Sequence, residues 1–268
     1  MKNRILLLLT VCLLLLFLIC AVNFWNEVSA AVTTARAAPQ AVFEPAPTPE
    51  PTLTPVPTPE PTSPILEGSF FDDAAFIGDS VSDTLYKYNL RTDVLGEAVF
   101  LCRGSYSMRA TIDPGLLPLS YGGVTGAPQD VLAELDVSKL YVMLGMNDVA
   151  MLNEDGYFNC WTRFTENVRS VRPDIQIIYQ SVTPVYPGLN YGGLNNTAID
   201  HYNELLKEFC EANGCNFIDV ASVFKNENGD LVPEYCADEY VHLTNECGEI
   251  WADYLLNRNN YLFDPYTW

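Results

Sequence analysis

Four short stretches of this sequence place a chemically capable side chain beside a residue that favours a turn: Gly78-Asp79-Ser80, Arg103-Gly104-Ser105, Gly145-Met146-Asn147-Asp148 and Asp238-Glu239-Tyr240-Val241-His242. A serine hydroxyl becomes a nucleophile when an imidazole takes its proton, and a carboxylate on the other ring nitrogen fixes the tautomer that does so. Backbone amides at a glycine or a helix start, and an asparagine side chain, are neutral donors suited to an oxyanion. Taken singly, each residue has an ordinary role, Ser80 as a helix N-cap and Gly104 or Asn147 as turn residues. His201 lies within a helical pattern and reads as structural, whereas His242, with acids three and four residues upstream, reads as a base.

These residues need a scaffold that presents loop ends together. Short apolar runs at 74–77 (AAFI), 98–101 (AVFL), 140–144 (LYVML), 175–179 (IQIIY) and 216–218 (NFI) read as strands. Longer amphipathic stretches at 82–88, 158–171, 197–213 and 244–257 read as helices, the last with Thr244 or Asn245 as its N-cap and the third with Gly214 just beyond its end. Strands alternating with helices predict an α/β fold, three-layer α/β/α with a mainly parallel sheet. In such sheets ligands bind beyond the carboxyl ends of the strands, where the first three stretches fall.

Taken in chain order, the four blocks resemble the SGNH-hydrolase superfamily, also called the GDSL family of esterases and lipases, over nearly all of 74–256. The resemblance implies a flavodoxin-like sheet, with Ser80 of GDS as nucleophile and His242 as general base. Gly104 and Asn147, the latter in GxND, would join the Ser80 amide as oxyanion donors. The implied reaction is hydrolysis of a carboxylic ester through an acyl-enzyme, with no metal and no organic cofactor. Two departures stand out. The usual second glycine of the second block is absent from RGSYSM, and the aspartate usual three residues before the histidine is replaced by Glu239. Spacing favours Glu239 as the triad acid, while the shorter side chain of Asp238 is the usual partner; Asp238 is taken, with Glu239 the alternative. The expected substrate is a small ester or an acylated carbohydrate, with 185–193 (VYPGLNYGG) either a sugar cleft or a plain Gly-rich loop. The same fold can transfer an acyl group to a polysaccharide, or serve as a non-catalytic surface binding module.

Composition narrows the setting. The formal net charge of the 268-residue chain is −20, and no basic patch recommends nucleic acid as a partner. Residues 5–24 carry no charge and follow Lys2 and Arg4, so 1–30 is expected to be a single-pass membrane anchor with the remainder extracellular, or a signal peptide cleaved to release it. Residues 31–64, rich in Pro, Thr and Glu, read as an extended linker, leaving 65–268 as the catalytic domain. With export expected, disulfides are allowed among Cys102, Cys160, Cys210, Cys215, Cys236 and Cys247, and a Cys236–Cys247 bridge around His242 is the leading candidate. Two histidines and no CxxC give no zinc-ligand spacing.

Overall fold

The computed structural model describes residues 65–266. Five strands, β1 (Ala74–Gly78), β2 (Val99–Cys102), β5 (Lys139–Met143), β6 (Gln176–Gln180) and β7 (Asn216–Ile218), form one sheet in the order β2-β1-β5-β6-β7, and every pairing in it is parallel. A separate antiparallel hairpin, β3 (Leu119–Tyr121) with β4 (Val124–Gly126), stands outside it. Parallel strands covered on both faces read as continuous apolar runs rather than alternating ones, which is why AAFIG and KLYVM carry few polar residues. The expected three-layer α/β/α architecture is the one observed.

Alternation along each strand distributes side chains to the two layers. On β6, Tyr179 meets Phe164 of α4 (Glu154–Val171) and Phe209 of α5 (Asn196–Asn213), while the next residue, Gln180, accepts a hydrogen bond from Trp251 Nε1 of α6 (Cys247–Leu256) at 2.8 Å. α6 packs beside α1 (Asp83–Thr92), so α1 and α6 form one layer and α4 and α5 the other. Register is visible as a ladder of aromatic rings. Phe76 pairs with Phe100 and with Tyr141 across the strands, stacking on them at 4.8 and 4.5 Å. Such a ladder penalises a one-residue slip, which would send every ring to the opposite face.

Several boundaries differ from those read in the sequence. α4 starts at Glu154, capped by Asn153 accepting from Gly156 N, four residues before the apolar periodicity begins, because its first turn is largely solvent-facing. α6 starts only at Cys247, with Glu246 at the N-cap position, since the residues from Thr244 form successive turns before the helix; neither Thr244 nor Asn245 caps it. Gly214 ends α5 in the left-handed conformation, φ 61°, as its position suggested. Two short helices, α2 (Met108–Ile112) and α3 (Pro128–Leu132), and the β3–β4 hairpin had no clear sequence period.

Two further expectations are corrected. No helix among the described residues is long and apolar enough to cross a membrane. The run at 5–24 and the linker lie outside the described residues, so the transmembrane, membrane-anchored and extracellular placement is withdrawn. The Cys236–Cys247 disulfide is absent, as all six cysteines of the described residues are free thiols. The reason is local: Cys236 sits in a bridge pair with Leu243 and its thiol lies 3.7 Å from Asp238 Oδ1, while the Cys247 thiol turns to the Tyr235 carbonyl at 3.6 Å.

Candidate active site

The site is built where β2, β1 and β5, three adjacent strands, end. β1 closes on Gly78, and a Cβ there would stand 2.0 Å from Ser82 Oγ, so the chain folds back over the glycine in a way no larger residue permits. Asp79 Oδ1 accepts from Val81 N at 2.9 Å, an Asx turn that sets Ser80 just ahead of α1. After β2, Gly104 stands exposed with nothing within 4 Å of a Cβ position, leaving its amide open to approach. After β5, Gly145 adopts φ 147°, where a Cβ would meet Tyr202 and Val182 at under 3 Å.

His242 arrives from the loop before α6, 162 residues from Ser80 in sequence, and its Nε2 lies 3.0 Å from Ser80 Oγ. Its Nδ1 lies 2.5 Å from Asp238 Oδ2. The other oxygen, Asp238 Oδ1, accepts from the amides of Tyr240, Val241 and His242 at 3.0, 3.1 and 3.2 Å. A carboxylate on Nδ1 calls for the Nδ1–H tautomer, which leaves Nε2 to accept the serine proton. Slight burial works to raise the Asp238 carboxyl, but the hydrogen bonds from the His242 ring and from the His242 and Tyr240 amides outweigh it and hold it below the ordinary value. Glu239 is exposed and takes the left-handed backbone conformation, φ 54°, that lets the four-residue loop close with Asp238 facing the ring. Within the described residues Glu239 is not the group on His242 Nδ1.

Asn147 follows Met146 in the loop after β5. Its Nδ2 donates to Asp79 Oδ2 at 3.1 Å and to the Tyr106 carbonyl at 3.0 Å. Next to it the fully buried Asp148 accepts from Met108 N at 2.7 Å and from Arg109 Nε at 3.1 Å, and Arg109 also donates to the Asn147 carbonyl at 3.2 Å. The ND pair is thus anchored to α2 by a charge-assisted clamp. Ser80, Gly104, Asn147 and His242 open onto one cleft of about 320 Å³, which Leu194 and Tyr240 also line. His201 lies apart on α5, its Nε2 2.8 Å from Glu154 Oε1 on α4, a surface pair between neighbouring helices. Among the described residues no group of His, Cys, Asp and Glu is arranged to hold a metal ion.

Sequence reasoning overlooked the contacts by which Asp79, Asp148 and Arg109 hold Asn147 and its neighbours. Asp79 is wholly buried, and burial pushes its carboxyl up to about 7, with the nearby Asp148 adding to the rise while the Val81 amide and His242 oppose it. Between about pH 4 and pH 7 the folded protein therefore holds a proton that the unfolded chain has released, so this group makes stability fall as pH rises through that window. Asp79→Asn removes the titration: thermal melts from pH 4 to 8 should show the variant gaining stability relative to the wild type as pH rises, and parallel curves would contradict it.

The sequence profile of the GDSL-like Lipase/Acylhydrolase family matches residues 76–247. Among solved structures, the chain is similar to a GDSL-like lipase from Bacteroides thetaiotaomicron at 19% identity, with 70% of this chain and 86% of that one covered and a TM-score of 0.54. A Bacteroides fragilis protein named as an acylhydrolase (18% identity, 68% and 83% covered) and a Streptococcus pneumoniae protein named as a platelet activating factor (19%, 68% and 81%) give the same TM-score of 0.54. At these identities the likeness concerns the fold. No curated protein matches the chain. With a family profile spanning all four blocks and most of the described fold, the chain belongs to the GDSL-like Lipase/Acylhydrolase family, enzymes of the hydrolase class that act on acyl esters.

Proposed function

We propose that the protein is a serine ester hydrolase in which Ser80, His242 and Asp238 carry the chemistry. The observation that supports this most is the continuous chain of hydrogen-bonding atoms from Asp238 Oδ2 through both ring nitrogens of His242 to Ser80 Oγ, ending at the cleft. Ser80 Oγ attacks the ester carbonyl carbon as its proton passes to His242 Nε2. The tetrahedral oxyanion is met by the amides of Ser80 and Gly104 and by Asn147 Nδ2. His242 then delivers the proton to the departing alkoxide, leaving an acyl group on Ser80. Water, deprotonated by the same nitrogen, releases the carboxylic acid and restores the serine. Asp238 holds the tautomer and stabilises the imidazolium throughout.

The acyl donor of this proposal is an O-acetyl or other short acyl ester on a carbohydrate. The cleft, about 320 Å³ and only partly enclosed, suits a short acyl group on an alcohol that extends beyond it. Beside it Tyr191 is 71% exposed and meets Tyr240 edge to face at 6.2 Å, an aromatic corner of the kind on which the apolar face of a sugar ring packs. The tyrosine is held by a two-residue turn over Gly192 and Gly193, with Tyr191 and Leu194 exchanging backbone hydrogen bonds. Incubation with acetylated xylo-oligosaccharides and with p-nitrophenyl acetate tests the reading. Acetate release from both is expected, with Tyr191→Ala lowering kcat/KM several-fold for the oligosaccharide and leaving the aryl ester unchanged. Equal effects on the two substrates would remove the carbohydrate reading, and no acetate from either would remove the esterase reading.

A further inference from the structure

Asn147 has two ends, an amine that only donates and a carbonyl that only accepts, and catalysis of the kind proposed needs the amine at the oxyanion position. Two groups touch that amine. One is the Tyr106 carbonyl at 3.0 Å, and the other is Asp79 Oδ2 at 3.1 Å. Asp79 is not exposed at all, and its other oxygen is committed to Val81 N at 2.9 Å. A buried carboxylate with one oxygen on the nucleophile's own turn and the other on the oxyanion donor couples the two halves of the site through a single side chain.

We propose that Asp79 is a positioning residue that orients the Asn147 amide for oxyanion stabilisation. The inference rests on the esterase reading above and concerns the same site. Both partners of Asn147 Nδ2 are acceptors when Asp79 is ionised, so rotating the amide by half a turn would set Oδ1 against two oxygens. With one N–H held by Asp79, the other points to the Tyr106 carbonyl, where an oxyanion can share it. A protonated Asp79 can instead donate to Oδ1 of a rotated Asn147, and the orientation is then enforced by Tyr106 alone. The charged and titratable groups facing Asp79 are Asp148 after β5, itself clamped by Arg109, His242 from the loop before α6, and the Cys102 thiol at the end of β2. Burial first, and Asp148 next among the raising influences, bring the carboxyl to about 7, so both states are within reach of ordinary assay conditions.

Steady-state kinetics of the full chain on p-nitrophenyl acetate, in wild type, Asp79→Asn, Asn147→Ala and the double variant, test this. Asparagine at 79 that keeps its oxygen on Val81 N turns its own amine, a donor, toward the Asn147 amine, and the flipped orientation sets that amine against Val81 N–H instead. Asn147→Ala should lose about 10²- to 10³-fold in kcat, the effect of deleting one oxyanion donor. Asp79→Asn should lose about 10- to 10²-fold in kcat with KM unchanged, because the interaction it supports is made only in the transition state. The double variant should be no slower than Asn147→Ala alone. Losses that multiply, or an Asp79→Asn enzyme within twofold of wild type, overturn the proposal. A second measurement does not depend on the fold of that variant: in His242→Ala, where the imidazole no longer titrates, the side-chain amide NMR signals of Asn147 should shift as Asp79 titrates, at a pH above the wild type's about 7 because the lowering influence of His242 is gone. Signals that stay fixed from pH 5 to 9 overturn it too. The underlying reading is judged separately on Ser80→Ala: turnover lost there with multiplying losses in the cycle sinks only the role of Asp79, whereas turnover kept in Ser80→Ala sinks the esterase.

Discussion

Ser80→Ala is expected to lower kcat on p-nitrophenyl acetate by about 10⁴-fold or more while leaving the thermal midpoint within a few degrees of wild type. The hydroxyl is hydrogen-bonded to His242 Nε2 and is only partly buried, so its loss opens no core cavity and strands no charge. In the proposed reaction, by contrast, all of the covalent chemistry passes through that oxygen. His242→Ala should fall nearly as far, and the double variant no further, because the two act as one unit. Additive losses would mean that serine and histidine serve separate steps.

The second large effect concerns the acid. Asp238→Asn should cost about 10²- to 10⁴-fold in kcat, since an amide at that position donates where the carboxylate accepted and favours the wrong imidazole tautomer. Its geometry should survive, because the remaining carbonyl oxygen can keep the three backbone amides now bound to Oδ1. Glu239→Gln, at an exposed residue away from Nδ1, should stay within about twofold, as surface substitutions of this kind usually do. The pair is decisive. A large loss at Glu239 with little at Asp238 would reassign the acid, and little loss at both would leave a Ser80–His242 dyad.

Why Asp238 rather than Glu239 stands on the ring was not legible from spacing alone. It depends on φ 54° at Glu239, a left-handed residue that shortens the path from position 238 to 242, and no side chain there announces it as a glycine would. The strand cores and the long amphipathic helices were legible because burial on both faces or on one stripe leaves a period in the sequence. Short elements such as Met108–Ile112 leave none; this helix is held by Asp148 accepting the Met108 and Arg109 amides, a tertiary contact 39 to 40 residues away. Asp79 was visible only as part of a turn. Its second contact, with Asn147, spans 68 residues and follows from the adjacency of β1 and β5, which sequence order does not reveal. The cysteine reading failed for a related reason. Symmetrical placement of Cys236 and Cys247 around His242 says nothing of where each thiol points, and here the loop geometry sends them to different partners.

Activation of Ser80 as a nucleophile by His242 is read most directly with a fluorophosphonate probe and mass mapping. The probe bonds to a serine oxygen only when that oxygen is activated and the forming oxyanion is stabilised, and it needs no knowledge of the natural substrate. A single phosphonyl adduct on the peptide carrying Ser80 is predicted, lost in Ser80→Ala and greatly slowed in His242→Ala. Folded protein that takes up no probe, or that is labelled on another residue while Ser80 stays free, would contradict it.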